Sequence, residues 1–203
     1  MIKIEIDEAV YNLPSNWLDV SLDGLMKLNK LQKQSFKSNI DQTTALLVVM
    51  TDMPEDLILS LPMDDFKKLS EMLEWASKMP PEDNPQSIIT IDEIEYSPID
   101  VQTMSAGEFI SLEVFQNGAD AEDNFHYVAA VLIRPLIDGK VEKLKDMLDI
   151  QKRADLFKEK LMVGLYWPIV QSFFAGAVSS SLTNTQDSSD RVKSPSKLKI
   201  VNS

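Results

Sequence analysis

Ile2, Ile4 and Ile6 alternate with Lys3, Glu5 and Asp7, and Val10 and Tyr11 follow an acidic break. A period of two predicts a short, half-buried hairpin. A connector with Pro14 and Trp17 follows, and then the period changes. Ser21, with Asp23 two places on, stands ahead of Leu22, Leu25, Met26 and Leu28, which predicts a helix capped by the serine. The run Ala45–Met50 predicts a second helix starting near Asn39 or Asp41, with apolar spacing too mixed for a surface helix. Met53-Pro54-Glu55-Asp56 has the chemistry of a new helix start, with proline early and acids facing the positive end of the dipole, and Pro62 ends that helix. Asp64 or Asp65 is the expected cap of the next one, whose buried stripe is Phe66, Leu69, Met72, Leu73 and Trp75.

The pattern then repeats. Ile2 to Tyr11, Pro14, Val20-Ser21 and Leu25-Met26-Lys27-Leu28 have counterparts about 84 residues later in Ile88 to Tyr96, Pro98, Met104-Ser105 and Phe109-Ile110-Ser111-Leu112. A strand, a turn and a capped helix written twice predict two similar lobes. Ser105 with Glu108 three residues on makes a capping box. The helix it starts should end at Asn117-Gly118, and Phe125–Ile133 corresponds to the apolar helix at 45–50. Arg134-Pro135 is expected to close that helix as Asp52-Met53-Pro54 closes its counterpart. Between the copies, Met79 to Pro85 holds three prolines in the stretch Pro80-Pro81-Glu82-Asp83-Asn84-Pro85, a density that breaks both helix and central strand.

Residues 141–160 mix Lys, Glu and Asp with Val141, Leu144, Met147, Leu148, Ile150, Leu156 and Phe157, predicting one or two amphipathic helices. Leu161–Val178 carries no charge at all, and the polar stretch from Ser179 onward is low in complexity. The fold class expected is α+β, predominantly helical, with two similar lobes, each a short β-hairpin followed by packed helices. The boundaries are 1–78 for the first lobe, 79–87 for a proline-rich linker, 88–178 for the second lobe and 179–203 for a disordered polar tail.

Composition narrows the chemistry. A chain of 203 residues with 44% hydrophobic side chains is long enough to bury roughly 70% of its unfolded surface. There is no cysteine, which removes disulfides, thiolate nucleophiles and thiolate metal sites together. The acids at Lys3-Ile4-Glu5-Ile6-Asp7-Glu8 are unlike a signal peptide, so secretion is not expected. The formal charge is −12, and the last 25 residues hold four basic side chains against two acidic ones, leaving 16 basic and 30 acidic in the first 178. Such a body repels nucleic acid at long range and points to a protein partner.

Each candidate site has a plainer structural explanation. His126 is the single histidine and lies in an apolar run beside Phe125 and Tyr127, where packing accounts for it, and no HExxH motif recruits a metal. The acidic pairs Glu55-Asp56, Asp64-Asp65 and Glu82-Asp83, and the cluster Asp120 to Asp123, suit helix caps and solvated turns. Gly118 precedes the last cluster instead of sitting within it, so the calcium-loop spacing is absent. The six glycines form neither a dinucleotide fingerprint nor a phosphate loop. No catalytic, cofactor or metal residue is therefore expected. The uncharged run at 161–178 is long enough to span a bilayer, but Pro168 and the Gln171-Ser172 pair favour a packed helix. Its Tyr166, Trp167, Phe173 and Phe174 are the candidate partner-binding residues, with burial in the second lobe's core as the competing reading.

The connector Leu13-Pro14-Ser15-Asn16-Trp17-Leu18-Asp19-Val20-Ser21-Leu22, set between a short strand pair and a helix, resembles small acidic proteins of tailed bacteriophages over roughly residues 1–76. These are tail assembly chaperones and related tail or baseplate assembly factors. The resemblance implies a non-enzymatic protein of the host cytoplasm that coats an elongated, aggregation-prone tail protein until tail-tube subunits replace it. Its partner would be a phage structural protein of tape-measure or tail-tube type, with no nucleic acid, membrane or cofactor involved and self-association open. The alternative is a connector, tail or internal protein retained in the mature virion.

Overall fold

The opening alternation forms an antiparallel hairpin, β1 (Ile2–Ile6) and β2 (Ala9–Leu13), with Ile2 opposite Leu13 and Ile4 opposite Tyr11. The computed structural model describes residues 1–6, 8–81, 84–117, 121–143 and 146–186, with side chains in the last helix followed as far as Ala175. Ile4, Ile6 and Tyr11 turn one face of the hairpin toward the core, and Lys3 and Glu5 face outward. A 3₁₀ turn at Trp17–Asp19 leads to α1 (Leu22–Gln32), where Ser21 Oγ accepts the Gly24 N–H at 3.2 Å as its chemistry predicts. α2 (Asn39–Thr51) is capped by Ser38 and stops at Asp52, whose φ is 56°. α3 (Glu55–Ser60) and α4 (Met63–Met72) each start directly after a proline, Pro54 and Pro62.

Among the described residues no side chain caps α4. Asp64 and Asp65 lie inside its first turn, where they meet the helix dipole, because the helix already begins at Met63, directly after Pro62. The stripe beyond Met72 passes into a 3₁₀ turn at Glu74–Ser77, which sets Trp75 edge-on to Trp17 with ring centroids 5.2 Å apart.

The order then recurs. β3 (Ile89–Ile91), β4 (Ile94–Pro98), a 3₁₀ turn at Val101–Thr103, α5 (Ala106–Asn117) and α6 (Phe125–Leu132) repeat the succession β1, β2, 3₁₀, α1, α2. The turn and the first helix both begin 84 residues after their counterparts. Both capping-box bonds form: the Ser105 N–H donates to Glu108 Oε2 at 2.7 Å and the Glu108 N–H to Ser105 Oγ at 3.4 Å.

The copies diverge where the second helix ends. Arg134 and Pro135 do not enter a turn like Asp52–Pro54; the chain passes straight from α6 into β5 (Ile133–Ile137), which pairs antiparallel with β4, Pro135 opposite Tyr96. Proline drives the residue before it into extended geometry, and a partner strand stands ready to take it. A turn at Asp138–Gly139, with φ of 51° and 72°, returns the chain as β6 (Lys140–Val141) and completes a sheet in the order β3-β4-β5-β6.

α7 (Met147–Lys160) is one helix, capped by Asp146, and α8 (Val163–Gln186) holds the uncharged run. α8 continues eight residues beyond 178, where the polar tail was expected to begin, and 187–203 lie outside the described residues. The expected hairpin-and-helices units are both present, yet they share one continuous apolar core. Two backbone bonds tie them: the Leu22 N–H donates to the Leu161 carbonyl at 3.0 Å, and the Val163 N–H to the Val20 carbonyl at 2.8 Å.

Candidate functional site

The aromatic residues of α8 divide by helical geometry. Val163, Tyr166, Ile169 and Phe173 recur at three- and four-residue steps and are all buried, so they form the seam by which α8 enters the core. Tyr166 is 1% exposed beside Phe125, and Phe173 is 7% exposed. Burial pushes the Tyr166 phenol well above its ordinary pKa. This corrects the expected partner surface: Tyr166 and Phe173 are committed to internal packing, which the apolar face of a central helix demands. Trp167 and Phe174, one heptad apart, are half-buried at the edge of that seam. Among the described residues no helix is long and apolar enough to cross a membrane.

His126 lies buried on α6, its ring 4.3 Å from that of Tyr127. Tyr127 in turn stacks on Phe115 and donates its hydroxyl to Gln151 Oε1 at 2.7 Å. His126 Nδ1 has no hydrogen-bond partner among the described residues. Burial first, then the nearby Lys158 ammonium, lower its pKa, against the opposing pull of Asp155, Asp123 and Asp23. The imidazole is thus held toward its neutral form in an aromatic setting.

Two arginines close the C-terminal end of α6. Arg134 Nε donates to the Val131 carbonyl at 3.2 Å and Arg153 Nη1 to the Ala130 carbonyl at 3.0 Å, which places cations where the helix dipole favours them. Arg134 Nη2 also stands 3.0 Å from Glu108 Oε1, close enough for an ion pair although its angles miss hydrogen-bond geometry. Burial works to raise the Glu108 pKa, but the Ser105 N–H and hydroxyl and the Arg134 charge outweigh it and hold the carboxyl below its usual range. The pair therefore anchors the start of α5 to β5. Among the described residues no three His, Asp or Glu side chains converge as metal ligands.

What remains is apolar surface. Between β1 and the α3–α4 pair lies a cleft of about 600 Å³, lined by Ile4, Ile6, Leu57, Leu61, Leu69 and Met72. The Lys68–Asp65 ion pair, at 2.9 Å, joins its lining. A second surface is more unusual because a helix that should be amphipathic is apolar on both sides. α5 buries Leu112 inward, while Ala106, Phe109, Ile110, Glu113 and Val114 share the outward face. Phe109 is 42% exposed, Ile110 59% and Val114 64%.

The repeat shows how far this departs from its counterpart. Leu25 and Met26 of α1 align with Phe109 and Ile110, and they are only 7% and 6% exposed. α1 is packed on α2, α6 and α7, whereas α5 has α6 as its main helical neighbour. Both pairs stand at the fourth and fifth positions of their helices, yet one pair is covered and the other bare. Leu25 lines a cleft with Leu46 of α2 and Leu73 beyond α4, neighbours on a side of α1 that α5 does not share in this form. Comparison with known proteins finds no match for the chain among family models, curated proteins or solved structures.

Proposed function

We propose that this chain is a non-enzymatic assembly chaperone or scaffold, acting in the host cytoplasm, that holds a structural protein of a phage tail during virion morphogenesis. The observation that carries the reading is the bare outward face of α5, an apolar stripe on an otherwise acidic molecule. A face of this kind costs solubility when free, so its presence is best accounted for by a partner that covers it. Helical segments of a tape-measure or tail-tube protein would meet it through side chains at three- and four-residue spacing.

The test is recovery of the phage's own tail proteins on the tagged full-length chain, compared with an Ile110→Glu variant. Capture by the parent chain and loss with the variant is the expected result; capture of no tail protein would reject the reading. Mass spectrometry of purified virions beside infected-cell lysate decides the role. Depletion from particles is expected of an assembly factor, and a fixed copy number in particles would make the chain a structural virion component instead.

A further inference from the structure

Charge is distributed very unevenly along this chain. Between Met79 and Ile133 there are 11 acidic residues and no Lys or Arg, so 55 residues account for −11 of the total −12. α5 lies inside this stretch. Among the described residues, three of the acids are matched by cations from elsewhere in the fold: Asp92 by Lys160, Asp123 by Lys30 at 3.1 Å, and Glu108 by Arg134 at 3.0 Å. Glu93, Glu95, Asp100 and Glu113 are exposed, and among the described residues no Lys or Arg forms such a pair with them. Glu113 stands in the outward face of α5 itself, beside Ile110 and Val114 in the helix.

We propose that the outward face of α5 docks a cationic amphipathic helix of the partner protein. The partner's apolar side chains cover Phe109, Ile110 and Val114, and its Lys and Arg side chains meet Glu113 in the acidic field of this stretch. The inference rests on the binding role given above and adds the chemistry of the client segment. Area and charge both select this occupant. The exposed stripe amounts to roughly 300 Å² of apolar surface, a fraction of the roughly 800 Å² per partner that a stable protein dimer buries, so it suits one helix better than a second copy. A second copy would also bring like-charged segments together, whereas a cationic helix gains from the same field.

The experiment uses the full-length chain and two labelled synthetic helices with identical leucine stripes, one carrying Lys and the other Glu at its polar positions. Fluorescence anisotropy should show the Lys peptide binding at least about tenfold more tightly than the Glu peptide at low salt, with much of that preference lost at high salt. Ile110→Asp and, separately, Val114→Asp should each weaken Lys-peptide binding about tenfold, with circular dichroism and thermal midpoint unchanged because both sites face solvent. These variants add an acid, so purely electrostatic adhesion would strengthen instead. Glu113→Lys should reduce the preference for the Lys peptide about threefold.

Equal binding of the two peptides, no binding, or Lys-peptide binding that survives both aspartate variants would overturn the proposal. So would binding that emerges only when Arg191, Lys193, Lys197 and Lys199 are all changed to Gln in the full chain, since the chain's own C-terminal segment would then be the occupant. A dimer that Ile110→Asp dissociates in sedimentation would assign the face to a second copy, with the same consequence. Peptide binding without capture of tail proteins would leave this inference standing and reject the phage role; the reverse would do the opposite.

Discussion

At the scale of single residues, the consequences of burial are sharpest at His126 and at two glycines. Because burial and Lys158 lower the His126 pKa, the folded chain takes up this proton less readily than the unfolded chain. Its contribution to stability is therefore complete above the ordinary histidine value of about 6.5 and is lost as pH falls through the lowered folded value. Urea midpoints measured from about pH 8 down to pH 5 should fall for the parent chain and fall distinctly less for His126→Leu, since this is the single histidine. Parallel slopes would show that the imidazole does not titrate differently on folding. The glycines give opposite outcomes. A Cβ on Gly164 would lie 2.8 Å from Leu18 Cδ2 and 3.1 Å from the Leu18 backbone nitrogen, whereas one on Gly107 would meet nothing within 4 Å. Gly164→Ala should cost about 1–3 kcal/mol by forcing α8 away from the 3₁₀ turn it packs on. Gly107→Ala should gain roughly 0.5 kcal/mol by restricting the unfolded chain. Thermal midpoints moving in opposite directions are the expected signature.

At the scale of elements, the repeat supplies its own control. Met26 and Ile110 occupy equivalent helix positions, one 6% and the other 59% exposed. Met26→Lys should destabilise by several kcal/mol, because a cation is driven into the core, while Ile110→Lys should stay within about 0.5 kcal/mol of the parent. Chemical denaturation of both variants checks this, and comparable losses would mean that α5 is covered as α1 is. The equivalence of the two helices was legible in the sequence because caps and apolar spacing are local signals: Ser21, Ser105 and Glu108 form the bonds their positions announce. The sheet was less legible. Asp138-Gly139 is a strong hairpin signal, with both residues at positive φ, but the short flanking segments and Pro135 concealed the strands. Whether Phe109 and Ile110 are covered was not legible at all, since cover depends on which elements pack over the helix, a matter of tertiary placement. The same limit applies to Tyr166 and Phe173, whose spacing fits an inner seam and an outer stripe equally well.

At the scale of the whole molecule, two hairpin-and-helices units need not behave as two domains. Here α8, from the C-terminal part, packs on the 3₁₀ turn at Trp17–Asp19, while α1 packs on α6 and α7. The Leu22 and Val163 N–H groups find their acceptors across this junction. The proline-rich connection does not act as a free spacer either, since Pro80 is buried and Pro81, Asn84 and Gln86 line a cleft with Trp17 and Pro168. Each unit thus lacks part of its core when alone: residues 1–78 would expose Trp17, Val20 and Leu22, which are 8%, 4% and 0% exposed in the intact chain. Burial shared in this way makes unfolding cooperative across the halves. Calorimetry of the full chain should show one transition whose calorimetric and van't Hoff enthalpies agree, and residues 1–78 alone should give no cooperative transition. Two resolved transitions, or a stably folded 1–78 fragment, would show independent lobes. A single cooperative body also holds the bare face of α5 at a fixed attitude to the rest of the molecule, so a docked helix would meet a preformed surface with little ordering cost.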